Sequence, residues 1–428
     1  MTVINAADTA FMIASTGLVL MMTLPGLALF YAGMVAKKNL LDVMAQSVGA
    51  VAIVSPLWLA AGYSLAFAGD GAWIGSLVHT FMHGVGMNTI SPHAKTIPEL
   101  LYVAYQMTFA AITCALVGGA VVGRMRFSAF CLFSGVWLFV VYVPVAHWVW
   151  GGGFLGANGL LDFAGGTVVH TTAGMAGLTA ALVLGARRGF RHESATPFDL
   201  TIAVIGTGLL WVGWFGFNGG SALSPGSRAV FAIVDTHIAA CAGVAVWTGI
   251  EWAQRGKPSV LGMISGAVAG LATITPASGF VLPWQAFIIG AAGSAVCYWF
   301  CTVVKERFKY DDTLNVFGVH GVGGILGTLL TGILATAALS VAPNTPNGIP
   351  GLLEGNPRQF LIQAIGVSIV IAWSLIGTWV TLKIVGSVFK LRVGETAERD
   401  GLDFSEHGDS LPIGTFSEAT QSIRSPVS

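Results

Sequence analysis

Eleven apolar stretches of about 20 residues follow one another along this chain. About 20 residues is the length an α-helix needs to cross the hydrocarbon core of a bilayer. Within that core only helices and closed barrels satisfy their own backbone. The runs are continuous rather than alternating, so they specify an all-α integral membrane protein with 11 transmembrane helices. The expected spans are 9–31, 40–67, 99–122, 127–149, 163–185, 200–222, 229–252, 259–275, 283–304, 319–340 and 360–387, with 259–275 the shortest and rich in Gly. Charged residues make up 9% of the 428 and hydrophobic residues 54%, against about 25% charged in a soluble domain. That excludes a soluble globule. The 57 Gly suit close helix packing, because lipid supplies no hydrophobic drive between helices.

Orientation follows from the basic residues. Lys37, Lys38, Arg124, Arg126, Arg187, Arg188, Arg191, Arg255, Lys257, Lys305, Arg307 and Lys309 fall after odd-numbered spans, and Lys383, Lys390, Arg392, Arg399 and Arg424 lie at the end of the last span or beyond it. Only Lys95, Arg228 and Arg358 face the other way. The excess of Lys and Arg puts the N-terminus outside and the C-terminus in the cytoplasm. An odd number of spans agrees with that. The first nine residues carry no basic segment, so the first apolar run is expected to remain as a span. The chain then divides into a transmembrane domain, 1–389, and a polar cytoplasmic tail, 390–428. Residues 68–98 and 341–358 are expected as outer loops. His79 and His83 are spaced as a metal pair on a short helix would be, but no Cys or carboxylate follows at ligand spacing, so no metal and no cofactor are expected. The five Cys lie in apolar runs and are expected as buried thiols.

Two segments repeat a frame. Asp162-Phe-Ala-Gly-Gly-Thr-Val-Val-His170 and Asp312-Thr-Leu-Asn-Val-Phe-Gly-Val-His320 each place Asp eight residues before His, and Gly follows each His at +4 and +7 (Gly174 and Gly177, Gly324 and Gly327). A titratable ring within a span is expensive and faces a bundle interior or a cavity. Gly26-Leu-Ala-Leu-Phe30-Tyr-Ala-Gly33 in span 1 and Gly213-Trp-Phe-Gly-Phe217-Asn-Gly-Gly220 in span 6 share a second pattern. Spans 1–5 (about 9–185) and 6–10 (about 200–340) therefore read as two copies. An odd number of helices per copy inverts the second, a recurring transporter plan with its path between the halves. Span 11 (about 360–387) stands outside the 5+5 repeat.

These motifs, with Trp148-Val-Trp-Gly-Gly-Gly153, Trp214-Phe-Gly-Phe-Asn-Gly-Gly-Ser221, Glu398-Arg-Asp-Gly-Leu-Asp403 and Glu406-His-Gly408, resemble the Amt/Mep/Rh ammonium transporters, and within them the bacterial Amt branch. The resemblance implies a transporter, not an enzyme. It implies a homotrimer in the cytoplasmic (inner) membrane of a bacterium, with one pore per subunit, taking up ammonium or ammonia. It implies an outer substrate-binding site of Trp150, Ser221, Tyr105 and Phe109, a pore gate of Phe109 and Phe217, and a twin-histidine pair, His170 and His320, below it. Asp162 resembles the buried carboxylate near the outer site. The tail resembles a regulatory C-terminus, and a trimeric P-II-type nitrogen regulatory protein is the implied partner at the cytoplasmic face. No nucleic acid is implied.

Chemistry gives these residue types a reason. A π-face attracts a cation, Trp best, and a hydroxyl oxygen accepts an N–H that potassium lacks. A constriction of hydrophobic rings excludes hydrated ions. Buried imidazoles favour the neutral form, and two in contact titrate as a pair.

Competing readings stand beside each. Phe109 and Phe217 alone would be two of 25 Phe in an apolar core, Trp150 an interfacial anchor, Ser221 a helix end, and Asp162 an N-cap of span 5; the favoured reading of Asp162 is a structural one, holding the vestibule backbone with an indirect electrostatic effect on the cation. A paired intramembrane His could ligate haem in an electron-transfer bundle, but only one pair is present. A sensor would append a signalling domain, for which the 390–428 tail is short. A Rh-like gas channel would lack the Trp150 and Ser221 site. Three departures from the family pattern stand out: Asn315 in place of a common Asp beside Asp311 and Asp312, Tyr105 in place of a common Phe, and Asp235 within span 7 near His237, which reads first as a hydrogen bond between helices or subunits and second as a proton relay.

Overall fold

The computed structural model describes residues 3–190, 197–341 and 345–409. Ten helices among them are long and apolar enough to cross a membrane. In chain order, with one shorter apolar helix between them, they are α1 (Ala6–Met34), α2 (Lys37–Phe67), α3 (Glu99–Val121), α4 (Phe127–Ala157), α5 (Gly166–Leu184), α6 (Leu200–Gly219), α7 (Ser227–Arg255), the shorter α8 (Val260–Ile274), α9 (Pro283–Phe308), α10 (Phe317–Leu334) and α11 (Pro357–Val388). Two short helices follow, α12 (Glu395–Asp400) and α13 (Leu402–His407). Arg191, Arg424 and the rest of the tail after Asp409 lie outside the described residues.

Local chemistry sets the helix ends. Asn5 accepts from the N–H groups of Ala7 and Asp8 and starts α1 three residues before the expected limit. Asp199 caps α6 and Ser259 caps α8 in the same way. The fifth span was expected from 163, but α5 opens at Gly166, because Gly165 takes a φ of +112° that ends regular helix. The tenth ends at Leu334 rather than 340, where Ala335 turns extended.

The short stretch expected at 259–275 is the one that departs from spanning length. At about 1.5 Å per residue the 15 residues of α8 reach roughly 22 Å, short of a core of about 30 Å. Its second half is buried, and so is the turn Thr275–Gly279 that follows it. A segment enclosed by protein can leave helix at membrane depth, because its neighbours satisfy its backbone.

Glycines bring the matched segments together. A methyl group on Gly33 would lie 2.4 Å from the Ala203 nitrogen, and one on Gly206 2.2 Å from the Phe30 nitrogen. Gly26 meets Leu210 and Gly213 meets Met22, so α1 and α6 run antiparallel in backbone contact. α5 and α10 cross the same way. Gly174 touches Gly321, and Gly324 touches Gly166 and Thr171. The Gly four residues after each His is thus the crossing point of its helix with the other.

Both halves also open the helix that carries the repeated His with a widened π-helical turn at the same place in the frame, Gly166–Thr171 in α5 and Phe317–Gly321 in α10. Such turns cluster at functional sites, because the extra residue re-aims a side chain.

Candidate functional site

Asp162 shapes the start of α5. Its Oδ1 accepts from the N–H groups of Gly165 and Gly166 at 2.9 and 2.7 Å, and its Oδ2 from those of Thr167 and Val168 at 2.9 and 3.1 Å. The Thr167 hydroxyl also donates to Oδ2. A carboxylate satisfies helix-start donors that nothing else reaches. Asp312 does the same for α10, where Oδ1 accepts from Val316 at 3.0 Å and Oδ2 from Phe317 at 2.7 Å. The repeated Asp is therefore a cap on the helix that carries the repeated His.

Those helices bring the two rings together. His170 Nδ1 and His320 Nδ1 are 3.3 Å apart, and both residues are buried. One nitrogen must donate and the other accept, so a neutral pair shares one hydrogen between the rings. Its outer nitrogens then differ, one an acceptor and the other an N–H donor. His170 Nε2 has no partner among the described residues. It lines a cavity of about 10 Å³ with Phe217, Leu210, Ile112 and other apolar side chains, room for about one water-sized molecule. Trp214 stacks on His170 at 5.4 Å and donates its indole N–H to Thr275. Sequence reasoning assigned Trp214 no place, because a Trp in a span carries no signal of which ring it covers.

Above the pair, Phe217 lies 6.1 Å from His170, and Phe109 stacks on Phe217 at 4.1 Å with planes 23° apart. Both Phe rings are buried. Trp150 meets Phe109 edge-on at 5.9 Å. Its Nε1 donates to the Asp162 carbonyl at 2.9 Å, which holds the ring. Trp150, Phe109, Tyr105 and Ser221 line one cavity of about 270 Å³, together with His93, Tyr102, Gln106 and Phe163. Ser221 donates to the Phe217 carbonyl at 2.9 Å, which leaves its oxygen lone pairs for another donor. The Tyr105 hydroxyl lies 3.3 Å from Ser221 Oγ and within 3.0 Å of the carbonyls of Gly216 and Phe217, so the hydroxyl that departs from the family pattern ties α3 to the turn bearing Phe217. His93, Tyr102 and Gln106 were not singled out from sequence. His93 sits in a loop, where no periodicity reports what a side chain faces.

On the other side of the histidines a cavity of about 260 Å³ opens, lined by His320, Tyr31, Asn39, Arg187, Glu251 and Asn315 among others. Asn315 takes a φ of +59°, and its Oδ1 accepts from Lys305 Nζ at 2.7 Å. The family Asp is thus replaced by a residue that tolerates this backbone and pairs with a cation. Asp311 accepts from Arg187 Nε and NH2 at 2.9 and 2.8 Å. Burial pushes its carboxyl up, but the Arg187 hydrogen bonds and the charges of Arg187 and Arg124 outweigh that and hold it below the usual carboxylate value. Burial draws the neighbouring Arg124 down to about 10.

The tail closes over this side. Arg126 N–H donates to the Leu391 carbonyl and Val393 N–H to the Arg124 carbonyl. Lys38 Nζ caps the carbonyls at the end of α12, and Asp403 accepts from the Asp42 N–H at 2.8 Å. His407 Nε2 lies 3.1 Å from Asp42 Oδ1.

Three expectations change. His79 and His83 share no helical face, because Phe81 and Met82 take positive φ and His79 Nδ1 faces the His83 carbonyl. Cys114 and Cys297 are buried, but Cys241 is exposed on α7; the apolar run there faces outward. Asp235 is buried with neither oxygen hydrogen-bonded among the described residues, and His237 turns instead toward Trp211 and Phe215. No contact in the fold accounts for Asp235.

The sequence profile described as the Ammonium Transporter Family matches residues 10–411. An ammonium transporter of Bacillus subtilis is 46% identical over 402 residues, 94% of this chain and 97% of that one. One of Aquifex aeolicus is also 46% identical, over 95% of this chain and 93% of its own. The crystal structure of Saccharomyces cerevisiae Mep2 superposes with a TM-score of 0.85 at 35% identity, covering 91% of this chain and 88% of that one. The fold is thus that of a multi-pass membrane transporter rather than an enzyme, and the chain belongs to the ammonium transporter family.

Proposed function

We propose that this protein takes up ammonium across the cytoplasmic membrane of a bacterium. Ammonium is captured at Trp150, Ser221, Tyr105 and Phe109, and passes the Phe109–Phe217 gate to the His170–His320 pair. One observation carries this reading: the contacts run unbroken from one cavity to the other, Trp150 to Phe109 at 5.9 Å, Phe109 to Phe217 at 4.1 Å, Phe217 to His170 at 6.1 Å and His170 to His320 at 3.3 Å. The open cavity is polar enough to hold a cation, whereas the one below the gate is nearly dry. A bare ion entering an apolar space pays a large desolvation cost. Ammonium can release a proton to water in the open Trp150 cavity and cross as ammonia, with an imidazole nitrogen to accept or donate a hydrogen bond at each end of the pair. Potassium has no such route.

On this reading the Trp150 cavity faces outside, and the tail, 390–428, is cytoplasmic and regulatory. The chain makes eleven crossings with α8 and its buried turn counted as one, spans 1–5 and 6–10 are inverted repeats, and α11 lies outside them. The antiparallel contacts of α1 with α6 and α5 with α10, and the π-helical turn that opens both α5 and α10, support the repeat. Exposed Ile205, Trp252 and Phe287 on α6, α7 and α9 suit the contacts of a homotrimer. The docked tail and the Arg187 cavity form the face that a P-II-type protein would meet.

The test is flux and current in proteoliposomes after an ammonium jump. Trp150→Leu and Ser221→Ala should raise half-saturation, with about 0.5–2 kcal/mol lost for the cation–π contact. Unchanged half-saturation in both would place recruitment elsewhere.

A further inference from the structure

The Trp150 cavity has a wall that the motifs do not supply. His93, from the loop between α2 and α3, lines it with Tyr102, Gln106, Trp150 and Ser221. Its Nε2 lies 3.1 Å from the Phe67 carbonyl. A carbonyl only accepts, so Nε2 carries the hydrogen and the neutral ring keeps its lone pair on Nδ1. The ring lies parallel to Tyr102 at 6.2 Å and edge-on to Phe67 at 5.5 Å, which fixes its plane. Gln106, also on this cavity, is buried with an Oε1 that no donor among the described residues meets. No acidic side chain is among the described residues that line the cavity, so a cation there depends on neutral acceptors and ring faces.

Taking that cavity as the recruitment site, we propose that His93 is a further ammonium-binding wall, favourable when its imidazole is neutral and repulsive when the ring is a cation. Protonation would fill the Nδ1 lone pair and set a positive charge beside the incoming one. The neighbours divide over it. From α3, the Glu99 carboxylate, held by the Tyr63 hydroxyl at 2.8 Å, favours the cation, while Tyr102 brings no charge. From α4, His147, its ring nitrogens facing the Ala66 and Gly71 carbonyls, opposes it. From α2, the Phe67 carbonyl favours it and Tyr63 is neutral. On the same loop, Lys95 is exposed. Asp162, beyond Trp150, has its oxygens committed to its own backbone. Burial is the largest influence and holds His93 below the ordinary histidine value, with the Phe67 carbonyl and Glu99 pulling the other way. The ring is therefore neutral at pH 7 and becomes a cation only as the outside acidifies.

The test uses the full-length protein in proteoliposomes, with ammonium as the probe and half-saturation measured from about pH 5 to about pH 8, where an imidazole titrates. In wild type, half-saturation should rise roughly threefold to tenfold on acidification, the size of repulsion between two unit charges across a wet cavity. His93→Gln should flatten that rise. His93→Lys, a fixed cation, should show the acid-side affinity already at neutral pH, and so answers the question even where His93→Gln folds poorly. Titration of the pore histidines is common to wild type and variants and cancels in the difference. Identical pH profiles in wild type and His93→Gln, with Trp150→Leu raising half-saturation throughout, would overturn the role of His93 alone. Unchanged half-saturation in Trp150→Leu would remove the recruitment site, and this role with it.

Discussion

At the scale of the residue, this protein places a few polar groups where the surroundings leave them little freedom. His170 and His320 are the sharpest case. Each ring offers one nitrogen to the other at 3.3 Å, so replacing either leaves a buried imidazole without its partner and enlarges the small cavity beside Phe217. His170→Ala and His320→Ala are each expected to abolish or greatly slow ammonium flux, or to let potassium through. Wild-type rate and selectivity in both, measured in proteoliposomes, would take the pair out of the mechanism. Asp162 is the second case. Asp162→Asn keeps the size but leaves one acceptor oxygen where two now serve five donors. Stranding buried donors costs about 1–3 kcal/mol, so thermal stability and flux should fall together. A variant with wild-type melting behaviour would show that water or backbone rearrangement replaces the cap.

At the scale of the element, position depends on what the helices lack. α5 and α10 cross with Gly174 against Gly321, where an added methyl would lie 2.2 Å from backbone atoms. Neither backbone can give way cheaply, because each helix start is pinned by its Asp. Gly174→Ala should force the helices apart, cost about 1–3 kcal/mol by overpacking, and separate the histidines. The expected result is a protein that still folds and inserts but transports less, with a lowered melting temperature. Normal flux would mean that the crossing tolerates a shift without parting the rings. The sequence already showed Gly at +4 after both histidines. That the two would touch across different helices is a property of the crossing, not of either helix.

At the scale of the whole molecule, the tail joins parts distant in sequence. Residues 391–407 hydrogen-bond to the ends of α2, α4 and α5. Deleting 392–428 should leave the protein inserted but lower flux per inserted protein, because α5, one of the helices held at its end, carries His170. Full flux after deletion would make the tail a solvated end. His407 gives the docking a pH dependence. Its hydrogen bond to Asp42 raises it above the ordinary histidine value of 6.5, burial opposes, and Asp42, Asp403 and Glu406 add to the rise. A group raised in the folded state contributes fully below its unfolded value and is lost as pH rises through the folded one. Protease sensitivity of the tail should therefore increase from neutral to alkaline pH, and His407→Gln should remove that change. A wild-type tail equally protected at both pH values would show that Asp403 and Lys38 hold it without His407.

The sequence by itself determined the class of fold and the candidate chemistry. Long uncharged runs leave helices as the available solution in lipid, and Asp-x7-His, stated twice, marks where polar groups enter the core. It also marked where regularity was weakest, at 259–275. Tertiary structure decided the rest, because periodicity describes a helix's own faces and says nothing of what another helix sets against them. Only the packed bundle stacks Phe109 on Phe217, turns Tyr105 toward the Phe217 turn, leaves Asp235 without a partner among the described residues, and brings His93 from a loop to the wall of the Trp150 cavity. The two histidines lie 150 residues apart in the chain; the contact between them is made by glycines that let two antiparallel helices meet.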